Sequence, residues 1–298
     1  MNHYLAYGFT IASELALPEL LDTTLDGAAD VVFRLGEVDP TPPGGLQGNP
    51  DAWATREEAM MRFEYGVSCL VRNGKEIIID RKPDVAEETV RMLLLGPVLA
   101  ALLAQRGFLV LHGSSAVIDG QAVAIVADKG TGKSTLAAAF HAAGCGIATD
   151  DLVAVDVDAP GGPMMYPGFP QLKLFPEAAA QINQRPEDLP RVSPEIEKRA
   201  CRATTGFTQD RLPLRRVYAL ADGTCEAIDP LSPQNAFFEL VKHTFVLSML
   251  HATGQEADHF RQAISLAGAI PINKLQRRRL LSVLPSVVEM VRADLAAA

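Results

Sequence analysis

The run Ala127-Asp128-Lys129-Gly130-Thr131-Gly132-Lys133-Ser134 gathers the residue types that hold a polyphosphate. Gly130 and Gly132 permit left-handed backbone, which turns successive N–H groups toward one point and makes an anion nest. A helix opening near Lys133 adds the partial positive charge of its N-terminus. In such a loop Lys133 reaches the β- and γ-phosphates and Ser134 offers its hydroxyl to Mg²⁺. Asp128, Lys129, Gly130, Thr131, Gly132, Lys133, Ser134 and Thr135 are then the nucleotide-binding stretch, with ATP and Mg²⁺ as the implied ligands. The run matches G-x-x-x-x-G-K-[ST] except that Ala127 stands at the first glycine, where a small residue is required.

Two further groups lie close in sequence. Asp150-Asp151 follows Lys133 by 17 positions, with one helix between. Adjacent carboxylates repel, so a cation or one raised pKa is expected. They can hold Mg²⁺ through water and take a proton from an attacking hydroxyl, or simply cap a turn. His112, in Leu111-His112-Gly113-Ser114-Ser115, precedes the loop by one strand. A strand–turn–strand path would return its imidazole to a γ-phosphate oxygen; the alternative is a histidine that is merely hydrogen-bonded.

The elements that must position these groups read as α/β. Ser115 to Ile118, Asp119-Gly120 and Ala122 to Val126 predict strand, tight turn, strand. The second strand is continuously apolar, as for a strand buried on both faces. Ser134 to Ala143 predicts a helix ended by Gly144, and Ile147 to Thr149 a short strand leading into the acidic pair. Upstream, Tyr4 to Ile11, Asp30 to Leu35, Met61 to Val71 and Glu76 to Asp80 alternate like strands, with a turn at Asn73-Gly74. Pro40 to Pro50 is too rich in Pro and Gly for a regular element. The organisation expected is a β-rich N-terminal domain over 1–84 and a phosphate-loop core with C-terminal helices over 85–298. Between them, Asp84 is placed to cap an apolar helix from Val85 to Gln105, kinked at Gly96-Pro97. Further strands and helices are predicted at Phe108 to Leu111, Leu152 to Val157, Val217 to Leu220, Pro233 to Leu250, His259 to Ala267 and Gln276 to Ala296.

Residues 183–216 lack periodicity and are basic. Lys198, Arg199, Arg211 and Arg215 lie here, and Arg211 is the choice for a clamp on the transferred phosphoryl group. Lys274, Arg277, Arg278 and Arg279 read as an exposed helix start. Trp53 and His243 read as structural.

The whole chain has 298 residues and a net charge of −9. Residues 1–84 alone carry −7 of it. This acidity argues against a general nucleic-acid binder, and the 48% hydrophobic content excludes disorder. Cys69, Cys145, Cys201 and Cys225 are scattered without a C-x-x-C pair, so neither a zinc site nor a disulfide frame is indicated. The N-terminus lacks signal-peptide order, and the longest apolar stretch, Met92 to Ala104, is too short to span a bilayer. A cytoplasmic protein without membrane partners is expected.

The three chemical elements, in this order, resemble the HPr kinase/phosphorylase superfamily, and within it the HPr kinase-related peptide kinases that accompany lasso-peptide biosynthesis. The likeness rests on Leu111-His112-Gly113-Ser114-Ser115-Ala116, on the glycine loop with Lys133-Ser134-Thr135-Leu136, and on Asp150-Asp151-Leu152-Val153. It extends to Ala6-Tyr7-Gly8, to Tyr166-Pro167-Gly168-Phe169-Pro170-Gln171-Leu172-Lys173-Leu174 and to Leu212-Pro213-Leu214-Arg215-Arg216-Val217-Tyr218. The resemblance implies a fold related to PEP carboxykinase and an ATP-dependent kinase for a serine hydroxyl. In it Asp150 is the base, Asp151 and Ser134 support Mg²⁺, and His112 faces the transferred group. The acceptor it implies is a peptide or protein, most specifically the C-terminal residue of a lasso precursor, and a homo-oligomer is compatible with it. A non-catalytic nucleotide-dependent regulator, or a kinase for an HPr-like protein or a small molecule, would share the same loop.

Overall fold

Alternating and continuous apolar runs resolve into two large sheets. The computed structural model describes residues 1–24, 27–43, 51–182 and 184–297. The N-terminal sheet holds β1 (Asn2–Ala6), β2 (Phe9–Ser13), β3 (Leu21–Asp22), β4 (Val31–Leu35), β5 (Ala52–Ala54), β6 (Glu58–Phe63), β7 (Val67–Arg72) and β8 (Glu76–Arg81). Their order is β3-β1-β2-β4-β8-β7-β6-β5. The β7–β8 turn is Asn73-Gly74, with φ of 52° and 59°. Both values fit the primed hairpin turn that the dipeptide favours. Of the predicted Pro40–Pro50 loop, residues 44–50 lie outside the described residues. Trp53 is buried and its Nε1 donates to Pro40 O at 2.9 Å.

The apolar helix after β8 is three pieces: α1 (Glu87–Leu93), a π-helical turn (Leu94–Val98) and α2 (Leu99–Gln105). The kink falls at Gly96, which leaves helical geometry before Pro97. The helix starts at Glu87, so Asp84 does not cap it; Ala86 occupies the cap position and makes no side-chain bond. Residues 85–105 do not form a core apart from the first sheet. Leu94, Leu99 and Leu103 share one buried cluster with Ile11, Phe33 and Ile77, and with Leu152 and Phe169 from the second half.

The second sheet contains β9 (Leu109–Ile118), β10 (Gln121–Val126), β11 (Asp150–Asp156), β12 (Met164–Tyr166), β16 (Leu212–Asp222), β17 (Ala227–Pro230) and β18 (Ile272–Arg277). Its order is β10-β9-β11-β12-β16-β18-β17, and β10 also pairs with β16, so the sheet closes on itself. Between β12 and β16 the chain makes β13 (Gln171–Leu174), α4 (Pro176–Gln181), β14 (Arg191–Ser193) and β15 (Ile196–Arg202). These strands form a separate sheet ordered β13-β15-β14. Much of the predicted irregular basic segment is therefore strand.

The helices α3 (Lys133–Ala142) and α8 (Leu284–Ala296) share one apolar cluster with Val123 and Ile125 of β10. Two others, α5 (Pro233–Lys242) and α7 (Glu256–Ala269), contribute to a second cluster with Ala122, Ala124 and Val126. The continuous apolar run of β10 is thus explained: alternate residues face opposite layers. Phe140 of α3 is 1% exposed, a burial that stabilises by about 2 kcal/mol.

Several sequence expectations change. The strands expected at Phe108–Leu111 and Ser115–Ile118 are one: β9 runs unbroken from Leu109 to Ile118. Gly113 lies inside it because a Cβ there would stand 2.8 Å from Ile125 O of the neighbouring strand. The expected strand at Ile147–Thr149 begins instead at Asp150. Its neighbour is β9 and not β10. The expected helix Pro233–Leu250 breaks into α5 and α6 (Leu247–Thr253). Residues between them serve β9: His112 N–H donates to His243 O at 2.7 Å, and Phe245 N–H to Val110 O at 3.0 Å. The chain here fills the edge of β9 that β10, which pairs only with Gly113–Ile118, leaves open. The expected helix over Gln276–Ala296 starts only at Leu284, because Ile272–Arg277 pairs in parallel with Val217–Asp222 of β16.

Candidate active site

The loop after β10 owes its shape to two glycines. Gly130 has φ of 85° and Gly132 of 102°, values that L side chains adopt only with strain. Gly132 occupies the N-cap of α3 in left-handed conformation, and no side chain caps the helix. The first bond of the helix runs from Leu136 N–H to Gly132 O at 2.9 Å. The preceding amides therefore form a donor-rich helix end of the kind that attracts anions. Lys133 is 7% exposed. Its Nζ folds back to donate to Ala127 O at 2.8 Å and Asp128 O at 3.3 Å. Burial pulls its pKa down, while Asp151 and Asp150 act in the opposite sense.

The loop is held from outside by β18 and the turn after it. Arg277 Nη2 donates to Thr131 O at 2.8 Å, and Arg279 Nη2 to Gly130 O at 2.7 Å. A Cβ on Gly132 would meet Arg277 Nη2 at 2.5 Å and push the guanidinium off Thr131 O, on top of the strain of the dihedral angle. Arg277 is 4% exposed, in contrast to the exposed helix start expected from its sequence. On the other flank Lys242 of α5 pairs with Asp128 at 2.9 Å. Lys129 is exposed, and Thr135 lines a cavity of about 260 Å³ with Ala139, Ile182 and Leu284.

Asp150 and Asp151 open β11, opposite Ser114 and Gly113 of β9. Asp150 is 3% exposed. Its Oδ1 accepts from Ser114 Oγ at 2.5 Å and from Ser134 Oγ at 2.9 Å. Its Oδ2 accepts the backbone N–H of Lys173 at 2.8 Å. Ser134, expected to support Mg²⁺ with Asp151, is hydrogen-bonded here to Asp150.

Asp151 adopts φ of 104°, a conformation that costs a non-glycine residue about 1–3 kcal/mol and collects at functional sites. Its Oδ2 accepts from Lys173 Nζ at 2.8 Å. His112 Nδ1 stands 3.3 Å from Oδ1. Burial acts to raise the Asp151 pKa, but the Lys173 ammonium and the His112 contact override it and hold the carboxyl far below its ordinary range. Burial likewise opposes the charge on Lys173, and the Asp151 carboxylate overrides it, so the Lys173 pKa is raised. Lys173 thus straddles the acidic pair, its main chain on one member and its ammonium on the other.

Tyr7 supports the pair from behind. Its hydroxyl lies 3.2 Å from Thr149 Oγ1 and donates to Leu152 O at 3.2 Å. Its N–H donates to Pro167 O at 2.8 Å. Burial raises its pKa well above that of an ordinary tyrosine.

Of the residues singled out from sequence, the loop, Lys133, Ser134, Asp150, Asp151 and His112 converge. Arg211 does not. It is exposed and precedes Leu212, the first residue of β16. The loop leaves β10 after Val126, opposite Ala219 of the parallel β16. Eight residues of extended chain separate the two places, about 26 Å along the strand. Lys198 is the member of the basic segment whose charge acts on Lys133. Sequence reasoning assigned no role to Lys173, Tyr7, Arg277 or Arg279. Lys173 and Tyr7 lay within stretches noted for resemblance, and the arginines within a basic run that was assigned to a helix.

Among the described residues, no three of His, Cys, Asp and Glu cluster as a metal cage. Mg²⁺ rarely needs one, since it is commonly held by one or two carboxylates with phosphate oxygens and water. The Ser134–Asp150 pair beside a donor-rich helix end suits that mode.

No family model matches the chain, and no curated protein matches it. Among solved structures it is similar to the Hpr(Ser) kinase/phosphatase from Coxiella burnetii, at 9% identity and a TM-score of 0.34, over 63% of this chain and 93% of the other. At that level of likeness the function has to be argued from the site itself.

Proposed function

We propose that this protein is an ATP-dependent kinase that transfers the γ-phosphoryl group to a serine hydroxyl of a peptide. One observation carries the reading: the Ser134–Asp150 hydrogen bond joins the start of α3 to the acidic pair, so phosphate-binding and proton-accepting groups belong to one site. The amides of Gly130 to Ser134 receive the β- and γ-phosphates, and Lys133 exchanges its carbonyl partners for their oxygens. Ser134 and Asp150 would hold Mg²⁺, which would supply positive charge against the phosphates.

The acceptor oxygen forms a bond to the γ-phosphorus as the bond from that phosphorus to the β–γ bridging oxygen breaks, and ADP leaves. The hydroxyl proton passes to His112, whose imidazolium the Asp151 carboxylate, 3.3 Å from Nδ1, stabilises. Resemblance alone would give this task to Asp150. Three hydrogen bonds and near-complete burial tie up the Asp150 carboxylate, whereas the Asp151 side chain is 25% exposed and that of His112 33%. The acceptor the resemblance favours is the C-terminal serine of a lasso precursor.

The test is incubation with γ-labelled ATP, Mg²⁺ and peptides ending in serine. Label should appear on the peptide. Asp151→Asn removes the carboxylate that stabilises a protonated His112 and is expected to lower kcat by at least about 100-fold, with nucleotide affinity unchanged. Asp150→Asn is expected to weaken Mg²⁺-dependent nucleotide binding as well. Nucleotide binding with no transfer to any peptide would leave a regulator, and label on a metabolite alone a small-molecule kinase.

A further inference from the structure

A cleft of about 410 Å³ lies at Lys173, bounded by α1, the β13 strand and the β14–β15 hairpin. Its lining includes Glu19, Arg91, Leu95, Lys173, Arg191 and Arg202. We propose that this cleft binds the phosphate acceptor, and that it selects a peptide bearing a carboxylate close to the reacting hydroxyl. The proposal rests on the kinase reading above and adds to it where the acceptor sits and what chemistry recognises it.

The cleft and the proposed transfer site share Lys173, whose ammonium holds Asp151. Asp151 itself is not in the lining, but it lies one ion pair of 2.8 Å away from a residue that is, so an acceptor held in the cleft lies beside the acidic pair. The charge of the lining is unbalanced. Arg91, Lys173, Arg191 and Arg202 stand against Glu19 and Glu88, and Arg91 contacts both acids, at 2.9 Å and 3.7 Å. Arg191 and Arg202 are exposed and bond only to carbonyls, Pro194 O at 3.4 Å and Pro18 O at 2.6 Å. Neither has a carboxylate partner among the described residues. Two guanidinium groups beside one cleft, each with donors to spare, match a carboxylate.

A second feature points to a peptide. Glu19 Oε1 accepts from Arg91 Nε at 2.9 Å, but Oε2 is buried without a hydrogen-bond partner. An orphaned acceptor in a cleft wall calls for a donor from a ligand, and a peptide backbone brings N–H groups with its carboxylate. Met92, Leu95 and Val192 supply an apolar wall for the chain between them.

The carboxylate has two possible sources, an acidic side chain or the chain terminus. The probes are fluorescein-labelled alanine–glycine decapeptides of four kinds: ending in serine as free acid, the same as C-terminal amide, and with internal serine followed by Asp or by Asn. Anisotropy without nucleotide reads binding, and labelled ATP reads transfer. The expected result is at least tenfold tighter binding of one carboxylate peptide than of its neutral twin. Arg191→Glu combined with Arg202→Glu should erase that preference and raise the peptide KM at least tenfold, with kcat and nucleotide affinity within twofold. Which pair discriminates identifies the source. Equal binding of charged and neutral peptides, no binding of any probe, or a preference that survives the double substitution overturns the proposal. Arginine-dependent binding without transfer would keep the cleft and defeat the kinase reading; transfer indifferent to the arginines would do the reverse.

Discussion

Lys173 is the residue through which the acidic pair is held together. Lys173→Met would leave Asp151 without its ammonium partner and in a strained backbone. Breaking one side of a buried pair costs about 3 kcal/mol, which should appear as a lower urea midpoint at pH 7. The pH dependence has a definite sign. The Asp151 pKa is depressed on folding, so its contribution is complete above the unfolded carboxylate value of about 4 and is lost as pH falls toward the folded value. The wild type should therefore lose more stability than Lys173→Met between pH 6 and pH 3. Equal losses would show that Asp151 is not the group responsible. The local members of the site were legible in sequence because a loop, a helix start and a strand start lie within 25 residues of one another. Lys173 was not, since its role depends on β13 crossing beside β11. The division of labour within the acidic pair also depended on contacts, because identical side chains in adjacent positions differ only in what they touch.

At the scale of elements, β18 and the turn after it act as an outer brace for the glycine loop. Arg277→Ala removes the donor to Thr131 O and should weaken nucleotide binding about tenfold, the equivalent of one charge-assisted hydrogen bond of about 1.4 kcal/mol. Titration with a fluorescent ATP analogue measures it, and an unchanged Kd would dismiss the brace. Gly132→Ala should do more damage, since it adds a strained dihedral to a collision with Arg277 Nη2. This element was misread from sequence. Lys274 to Arg279 followed by Leu280-Leu281 resembles a basic helix entry, and only the parallel pairing with β16 turns Ile272–Arg277 into a strand. The long predicted helix at Pro233–Leu250 failed for a related reason: the backbone of His243 and Phe245 satisfies an open strand edge, a long-range demand that local periodicity does not display. By contrast Asn73-Gly74 and Asp119-Gly120 were readable, because their left-handed dihedrals are a property of the dipeptide.

Across the whole molecule, the first sheet and the site are mechanically one. Tyr7 reaches from the β1–β2 turn to Thr149 and Leu152, and the cluster beneath it draws side chains from both halves. Tyr7→Phe should lower stability by about 1 kcal/mol, because it removes a buried hydrogen bond to Leu152 O, which Thr149 Oγ1 alone would then serve. Differential scanning calorimetry would register it as a lower Tm, and an unshifted Tm would remove Tyr7 from the support of the pair. The α/β character and the strand-rich N-terminal third were legible, since composition and short alternation carry them. The closure of the second sheet was not, because the β10–β16 contact joins strands about 90 residues apart.

The β14–β15 hairpin and α1 bound one side of Lys173, and the glycine loop with its arginines lies elsewhere. On the kinase reading and the cleft proposed above, donor and acceptor recognition would be written in separate stretches of chain, joined at Lys173. Such an arrangement would let selectivity drift, or be re-engineered, by exchanging one hairpin, while the glycine loop and its arginine brace stay intact.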